Sequence, residues 1–508
     1  MLILMENRFI DRDVISINDF NRDDFLALFK CAEMMRDHEK SENRHLFSGR
    51  LKRRRLAELF YEPSTRTRTS FNTAITELGG CSDGFSGIEG TSVVKQESIR
   101  DTILMYNANH FDVLVMRHPL DGSVQWAADV SDVPVINGGD GMNEHPTQAM
   151  LDAFTLHILN DNRLDGIRVG LGGDLMHGRT IRSLSQALAL FDNVSIFWAA
   201  DDFFKMPGDL ERLLINRGVK VERLDTPEDV LENCGFYYMT RPQTERIVGK
   251  SAQEVRELLQ RYRITPERLE RFKGKILHPL PINSQLAEID NLVYYMGCQG
   301  FLEQAENGIF VRKALLYLMM PEEGYTLFRG VLNPEINRSN NRIFREVNEG
   351  GRKDGNGEKM VRNIEDGLVL DHLKPASAEE IARELMLVEG GYSCITASVA
   401  GGGEGKAKSF LKTNLHGLSE RELKRIALIS GEPTVNLIRN GGVAEKFVYL
   451  LCGNDNCVTR VVKEDVPGKF YYDGEIRCGY CRRPYAPENR KISGGELNRY
   501  AGSLPRRG

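Results

Sequence analysis

Short apolar runs alternate with stretches of helical periodicity from about residue 50 to residue 330. Leu56-Ala57-Glu58-Leu59-Phe60-Tyr61 reads as a buried strand ended by Glu62-Pro63. Phe71, Ile75 and Leu78 then keep helical spacing until Gly79-Gly80, with Ser64 as a helix N-cap. Further strands are predicted at Asp112–Met116, Val133–Ile136, Ile167–Leu171, Val194–Trp198, Phe236–Met239 and Lys275–Leu277. Amphipathic segments such as Thr180–Phe191 lie between them. This alternation predicts an α/β class with two doubly wound parallel-sheet domains. The boundaries fall at 1–148 and 149–304, with a helix near Thr147–Leu159 crossing between them and a helix at 305–330 packing back on the first.

Residues 333–357 change character. Asn333-Pro334 and the run Glu349 to Gly357 are polar, rich in Gly and Asn, and without period, which predicts a linker. Residues 358–447 then read as a small α+β domain. Strands are expected near Val369, at Ser393–Ser398 and at Thr434–Ile438, and helices at Ala378–Val388 and Ser419–Ser430. Residues 448–508 read as a small β-rich module that carries cysteines.

A chain of 508 residues exceeds one hydrophobic core, and its net charge of -5 recruits neither nucleic acid nor an anionic membrane. No apolar run approaches a membrane span, and Met1-Leu2-Ile3-Leu4-Met5 is too short for a signal peptide. Four of the 9 cysteines, Cys452, Cys457, Cys478 and Cys481, cluster in the last module. Two chelating pairs of thiolates suit one structural Zn(2+) per chain and a reducing, cytoplasmic compartment.

Ser64-Thr65-Arg66-Thr67-Arg68 places three hydroxyls and two guanidiniums on the first turn of a helix directly after a buried strand. Unpaired backbone N–H groups, the helix dipole and the planar arginine fork all favour phosphate there. Polar groups follow other strand ends in register: Arg117-His118-Pro119, Gly173-Asp174, Thr240-Arg241-Pro242-Gln243 and His278-Pro279-Leu280-Pro281. Ligands bind at that end of open parallel sheets. His145-Pro146-Thr147-Gln148 opens the crossing helix with Pro in its first turn. Arg66, Arg117, Arg179 and Arg241 form a rim suited to polyanions, and no nucleophilic triad or carboxylate pair accompanies them. Orientation and charge stabilisation would then carry catalysis.

Ser-Thr-Arg-Thr-Arg, Arg-His-Pro, His-Pro-Thr-Gln and His-Pro-Leu-Pro, in this order, resemble the transcarbamoylase family over roughly residues 8–330. Pro279, where the ornithine branch has Cys, and Arg241-x-Gln243 fit the aspartate carbamoyltransferase branch. The resemblance implies transfer of a carbamoyl group from carbamoyl phosphate to L-aspartate, in pyrimidine biosynthesis. Ser64, Thr65, Arg66 and Thr67 would hold the phosphate, while Thr67, Arg117 and His145 polarise the carbonyl oxygen. Gln148 and the carbonyls of Leu280 and Pro281 would take the carbamoyl amide. Arg179, Arg241 and Gln243 would bind aspartate. Ser92 and Lys95 resemble the loop that enters a neighbouring subunit's site, which implies a homo-oligomer built on catalytic trimers. Gln96 stands where a glycine is common, and Ile282 where an arginine is common.

Residues 358–508 resemble the family's regulatory chain, fused behind the catalytic one. Val369, Asp371, His372, Lys412, Asn436 and Lys446 match its nucleotide site, which implies CTP, UTP or ATP as effectors. Arg362 and Gly441 depart from that pattern, and Lys406, Lys408 and Lys412 beside Gly401-Gly402-Gly403 suit either an anion-binding loop or a solvated hairpin. Two other readings are a transcarbamoylase for an ornithine-like amine and a nucleic-acid-binding zinc protein with a vestigial enzyme domain.

Overall fold

Uninterrupted apolar runs become strands buried on both faces. The computed structural model describes residues 9–39, 47–320 (without 245, 246, 248 and 284), 342–344 and, with short breaks, 366–485. Two units separate, Met1–Val331 and Leu332–Gly508.

In the first unit, β1 (Arg55–Phe60), β2 (Cys81–Ser86), β3 (Val113–His118) and β4 (Val135–Asp140) form a parallel sheet in the order β2-β1-β3-β4. A second parallel sheet has the order β7-β6-β5-β8-β9, built from β5 (Arg168–Gly173), β6 (Ser195–Ala199), β7 (Lys220–Arg223), β8 (Phe236–Thr240) and β9 (Lys275–Leu277). Central strands are apolar because helices cover both faces. The sequence pattern missed β2 and β7. Each is an edge strand whose residues are half-buried or exposed, so no apolar run marks it.

The Pro146–Leu159 helix follows β4 and precedes β5. The Phe301–Met319 helix begins earlier than predicted and packs on the helices Arg22–Glu39, Thr65–Glu77 and Pro146–Leu159. Residues beyond 320 of the predicted 305–330 helix lie outside the described residues.

The second unit holds an antiparallel sheet, β10-β15-β14-β11-β13-β12. Its strands are β10 (Arg342–Phe344), β11 (Gly367–Leu373), β12 (Tyr392–Ser398), β13 (Ala407–Thr413), β14 (Thr434–Arg439) and β15 (Gly442–Tyr449). Leu370, Leu411 and Val435 pack with Ile381 and Ile426 from the helices Ser377–Glu384 and Glu420–Ser430. One expectation changes here. The linker includes a strand, since β10 pairs with β15 at Ile343↔Val448, a stretch too short to show a period. Of the two readings for Lys408 and Lys412, the hairpin is the one that fits: both lie in strand β13, paired antiparallel with β12, where Ser409, Leu411 and Thr413 alternate inward. Gly401–Gly403, Lys406, Arg362 and Gly441 lie outside the described residues. A hairpin of β16 (Phe470–Tyr472) and β17 (Ile476–Cys478) follows.

Candidate active site

The carboxyl ends of β1, β3 and β4 face the carboxyl ends of β5, β8 and β9 across a cleft of about 570 Å³. The cleft is lined by Ser64, Thr65, Arg66, Thr67, Arg117, His145, Gln148, Arg179, Arg241, Gln243, Leu280 and Pro281. Residues distant in sequence thus meet in one place because two sheets present the same end to it. Ser92 and Lys95 do not line the cleft; they form a short 3₁₀ turn with no buried residue.

Ser64 occupies the N-cap position, but its hydroxyl caps nothing. It accepts instead from Arg117 Nη1 at 3.3 Å. The first-turn N–H groups of the Thr65–Glu77 helix therefore keep their capacity for an anion. Arg66 makes no ion pair among the described residues, and its pKa is lowered by burial and then by the charge of Arg241. Two guanidiniums that repel across a cleft are stabilised by an anion between them.

Glu62 lies between two other arginines, 3.5 Å from Arg117 Nε and 3.6 Å from Arg179 Nη1. Arg179 is 7% exposed, donates to the Gly141 carbonyl at 2.9 Å, and packs its guanidinium over Gly139. Gly139 has φ +116, and a Cβ there would lie 2.8 Å from Arg179 Cζ. Only glycine leaves that guanidinium its seat.

His145 Nε2 lies 3.4 Å from Thr67 Oγ1. Burial first, then Arg179, Arg117 and Arg312, hold the His145 pKa well below its ordinary 6.5. The imidazole is neutral, able to donate one hydrogen bond to a carbonyl oxygen without a formal charge. Arg241 donates to the Pro242 carbonyl at 3.1 Å, and the Gln243 N–H donates to Asp174 Oδ2 at 3.0 Å, which fixes this turn. The loop after β9 is held from behind. Leu280 N–H donates to His278 Nδ1 at 2.8 Å, so the ring proton sits on Nε2, 3.1 Å from Glu288 Oε1. The Leu280-Pro281 peptide is cis.

Several lining or supporting groups were not singled out from sequence: Glu62, Asp152, Gln304 and Arg312. Arg312 lines the cleft, fully buried, from a helix that is apolar almost all round. Its signal was present: adjacent Arg312-Lys313 inside an apolar run is a costly pair unless both cations are used. Lys313 is used by Glu77 at 2.7 Å and Glu39 at 3.5 Å.

Family models match this chain in three places. Residues 12–158 match the aspartate/ornithine carbamoyltransferase carbamoyl-P binding domain, and 165–319 match the Asp/Orn binding domain of the same family. Residues 359–449 match the allosteric domain of the aspartate carbamoyltransferase regulatory chain. The aspartate carbamoyltransferase catalytic subunit of Thermococcus onnurineus is 39% identical over 312 residues, which is 61% of this chain and 97% of that protein. The chain belongs to the aspartate carbamoyltransferase family. The catalytic subunit of Pyrobaculum arsenaticum is 40% identical over 313 residues, 61% of this chain and 98% of that one. Among solved structures, the M. jannaschii catalytic subunit superposes with a TM-score of 0.55 at 35% identity, over 60% of this chain and 96% of that one. The Trypanosoma cruzi aspartate transcarbamoylase in complex with N-(phosphonacetyl)-L-aspartic acid gives 0.57 at 32% identity, over 61% and 97%. A member of this family that also carries the regulatory domain is a catalytic–regulatory fusion in one chain.

In the regulatory unit of this transcarbamoylase, the sheet register aligns several of the predicted nucleotide-site positions. Val369 pairs with Lys412 on one side and Asn436 on the other, and Asn436 pairs with Lys446. The row crosses four adjacent strands. Asn436 Nδ2 donates to the Val369 carbonyl at 3.1 Å, and Asp371 lies two residues along β11 opposite Thr434. The side chains of His372 and Lys446 lie outside the described residues.

Beyond the matched regulatory residues, Cys452, Cys457, Cys478 and Cys481 are all buried with their sulfurs within 4.8 Å of one another. Cys452 and Cys481 sulfurs are 3.6 Å apart, and Cys457 and Cys478 sulfurs 3.8 Å. A tetrahedron with metal–sulfur bonds of about 2.3 Å has edges of about 3.8 Å. The cluster could hold a metal ion, and these two edges already match that tetrahedron.

Proposed function

We propose that the cleft binds carbamoyl phosphate and L-aspartate together and transfers the carbamoyl group to the aspartate amine. The observation that carries this reading is the convergence of an open helix N-terminus, neutral His145 and separate arginines from both sheets on one cleft. Ser64, Thr65, Arg66 and Thr67 hold the phosphate through their backbone N–H groups, hydroxyls and the Arg66 fork. Thr67, Arg117 and His145 donate to the carbonyl oxygen. Gln148 and the Leu280 and Pro281 carbonyls accept from the carbamoyl NH₂. Arg179 and Arg241, with Gln243, take the two carboxylates of aspartate, and Glu62 yields its arginines as the anions arrive.

The amine lone pair then attacks the carbonyl carbon. Negative charge develops on the carbonyl oxygen under the three donors, each such donor being worth about 2–4 kcal/mol in the transition state. The bond between the carbonyl carbon and the bridging phosphate oxygen breaks, the departing phosphate takes the proton lost by the amine nitrogen, and N-carbamoyl-L-aspartate and hydrogen phosphate leave. Both substrates are anions, so clamping them close together is much of the barrier reduction.

In this reading Ser92 and Lys95 complete the site of a neighbouring copy in a catalytic trimer, consistent with their place away from their own cleft. The domain boundaries are 1–148 and 149–304, then 358–447 for nucleotide binding and 448–508 for the metal. The four cysteines hold one structural Zn(2+) as thiolates, which closes the C-terminal module, and a reducing cytoplasm keeps them from forming disulfides. Val369, Asp371, His372, Lys412, Asn436 and Lys446 take an allosteric CTP, UTP or ATP. The test is formation of carbamoylaspartate against aspartate concentration, with and without each nucleotide and with ornithine as the competing amine. Citrulline formation in place of carbamoylaspartate would overturn the acceptor assignment.

A further inference from the structure

Behind Gln148 lies a buried polar group that the proposed reaction does not itself use. Asp152 is 0% exposed and sits one turn further along the same helix. Its Oδ1 accepts from Gln148 Nε2 at 2.8 Å and from Gln304 Nε2 at 2.6 Å, and its Oδ2 accepts from Tyr238 OH at 2.7 Å. Gln304 uses its other end too: its Oε1 accepts from the His278 N–H at 2.8 Å.

A carboxylate only accepts, whereas a glutamine amide has one accepting and one donating end. Both amides are therefore forced to turn NH₂ toward Asp152 and Oε1 away from it. For Gln304 the Oε1 then meets the backbone N–H of His278, at the start of the loop that carries Leu280 and Pro281. For Gln148 the Oε1 is left with no protein partner among the described residues, on a side chain that lines the cleft. The carboxylate thereby presets one acceptor directly and steadies the loop that offers the others. Burial raises its pKa to about 6, which leaves it ionised at neutral pH.

We infer that Asp152 is a positioning residue that makes the donor end of the cleft accept-only, and so selects a carbamoyl NH₂ over a methyl group of the same shape. The inference rests on the carbamoyl-transfer reading above. It goes beyond that reading by naming what gives Gln148 its polarity.

The test compares two stable ligands that differ only in that group, phosphonoacetamide (NH₂) and phosphonoacetone (CH₃), by calorimetry on the full chain. The native chain should prefer the amide. In Asp152→Leu, a near-isostere that neither donates nor accepts, Gln148 turns freely and the preference should fall about tenfold. Phosphonoacetone affinity should stay within about twofold, because its phosphonate contacts lie elsewhere in the cleft. Asp152→Asn should restore most of the preference. Its carbonyl oxygen can still face both glutamines, while the flipped rotamer would set donor against donor at His278. If Asp152→Leu does not fold, Asp152→Ser carries the same test, since water filling the space imposes no polarity on Gln148. Equal loss of both ligands, or an unchanged preference, would overturn the inference. A native chain that does not distinguish the two ligands would instead overturn the carbamoyl-site reading itself.

Discussion

Gly139→Ala tests how the cleft seats Arg179. A Cβ at this position would meet Arg179 Cζ at 2.8 Å, Nε at 3.0 Å and Nη2 at 3.1 Å. Carbon contacts settle near 3.5–4.0 Å, so the guanidinium must retreat by roughly 1 Å. It cannot do so freely: it is 7% exposed and bonded to the Gly141 carbonyl at 2.9 Å. A misplacement of about 1 Å in a substrate clamp typically costs about 100-fold, or ~2.7 kcal/mol of transition-state binding. The φ of +116 adds a backbone cost of about 1–3 kcal/mol that falls on stability, not on the clamp. We expect kcat/KM for aspartate to fall about 100-fold at saturating carbamoyl phosphate, while carbamoyl phosphate affinity stays within about threefold. Initial-rate assays across aspartate concentrations, with urea unfolding on the same preparation, separate the two effects. An aspartate kcat/KM within about threefold of native would refute the reasoning about Arg179. Equal losses toward both substrates would show that the whole cleft, and not one clamp, had moved.

Other expectations follow from the same geometry. Arg66→Ala should lower turnover by about 100-fold or more with the oligomer intact on gel filtration; near-normal turnover would remove Arg66 from the phosphate site. Mixing inactive Lys95→Ala and Arg66→Ala chains should restore some activity through hybrid sites, and no recovery in reassembled mixtures would refute sharing between subunits. Since the His145 pKa lies well below 6.5, kcat should be flat from about pH 8 down to about 6.5; an inflection near 6.5 that disappears in His145→Gln would contradict a neutral imidazole. The sign for stability is set as well: the unfolded chain takes up this proton near 6.5 and the native chain does not, so this residue's contribution is lost as pH falls below 6.5. Metal analysis of the purified chain should find about one zinc per chain, and its removal should abolish any nucleotide response while leaving turnover within about twofold.

The sequence carried the anion cradle and the rim because each part is local. A buried strand, a Pro and a run of hydroxyls and arginines state their own geometry at Ser64–Arg68, and Arg117, Thr240 and His278 follow apolar strands directly. It carried the four cysteines because their spacing is itself a ligand geometry. Edge strands β2 and β7 were hidden, since a strand without buried faces has no apolar signature. Ser64 does stand at the N-cap, but the partner of its hydroxyl is hidden for a related reason. A helix-capping serine and one turned to a distant arginine look alike in sequence, and only Arg117 at 3.3 Å separates them. Asp152 and Gln304 were invisible because their meaning is a contact spanning 152 positions along the chain.

That last case explains how a cleft described from its sequence as rich in guanidinium and poor in acids can be stable. The acids are present one layer back. Asp140 is buried and accepts from Gly122 N–H, Asn137, Asn143 and Glu144 N–H, which shapes the turn leading to His145. Asp174 accepts from the Gln243 N–H, and Glu288 holds His278. These carboxylates are turned toward backbone N–H groups or neutral side chains, whereas Glu62 reaches the rim arginines Arg117 and Arg179, at 3.5 and 3.6 Å. A charge spent on backbone N–H groups orients a loop without neutralising the cleft, since the nearest guanidinium remains for the ligand. The arrangement predicts a sharp difference between two kinds of substitution. Removing Glu62 takes a competing carboxylate away from Arg117 and Arg179 and should tighten inorganic phosphate, whereas removing Asp140 or Glu288 leaves buried N–H groups unpaired and should lower stability by about 1–3 kcal/mol each. Phosphate binding that weakens in Glu62→Gln would show that this carboxylate orients its arginines more than it competes for them.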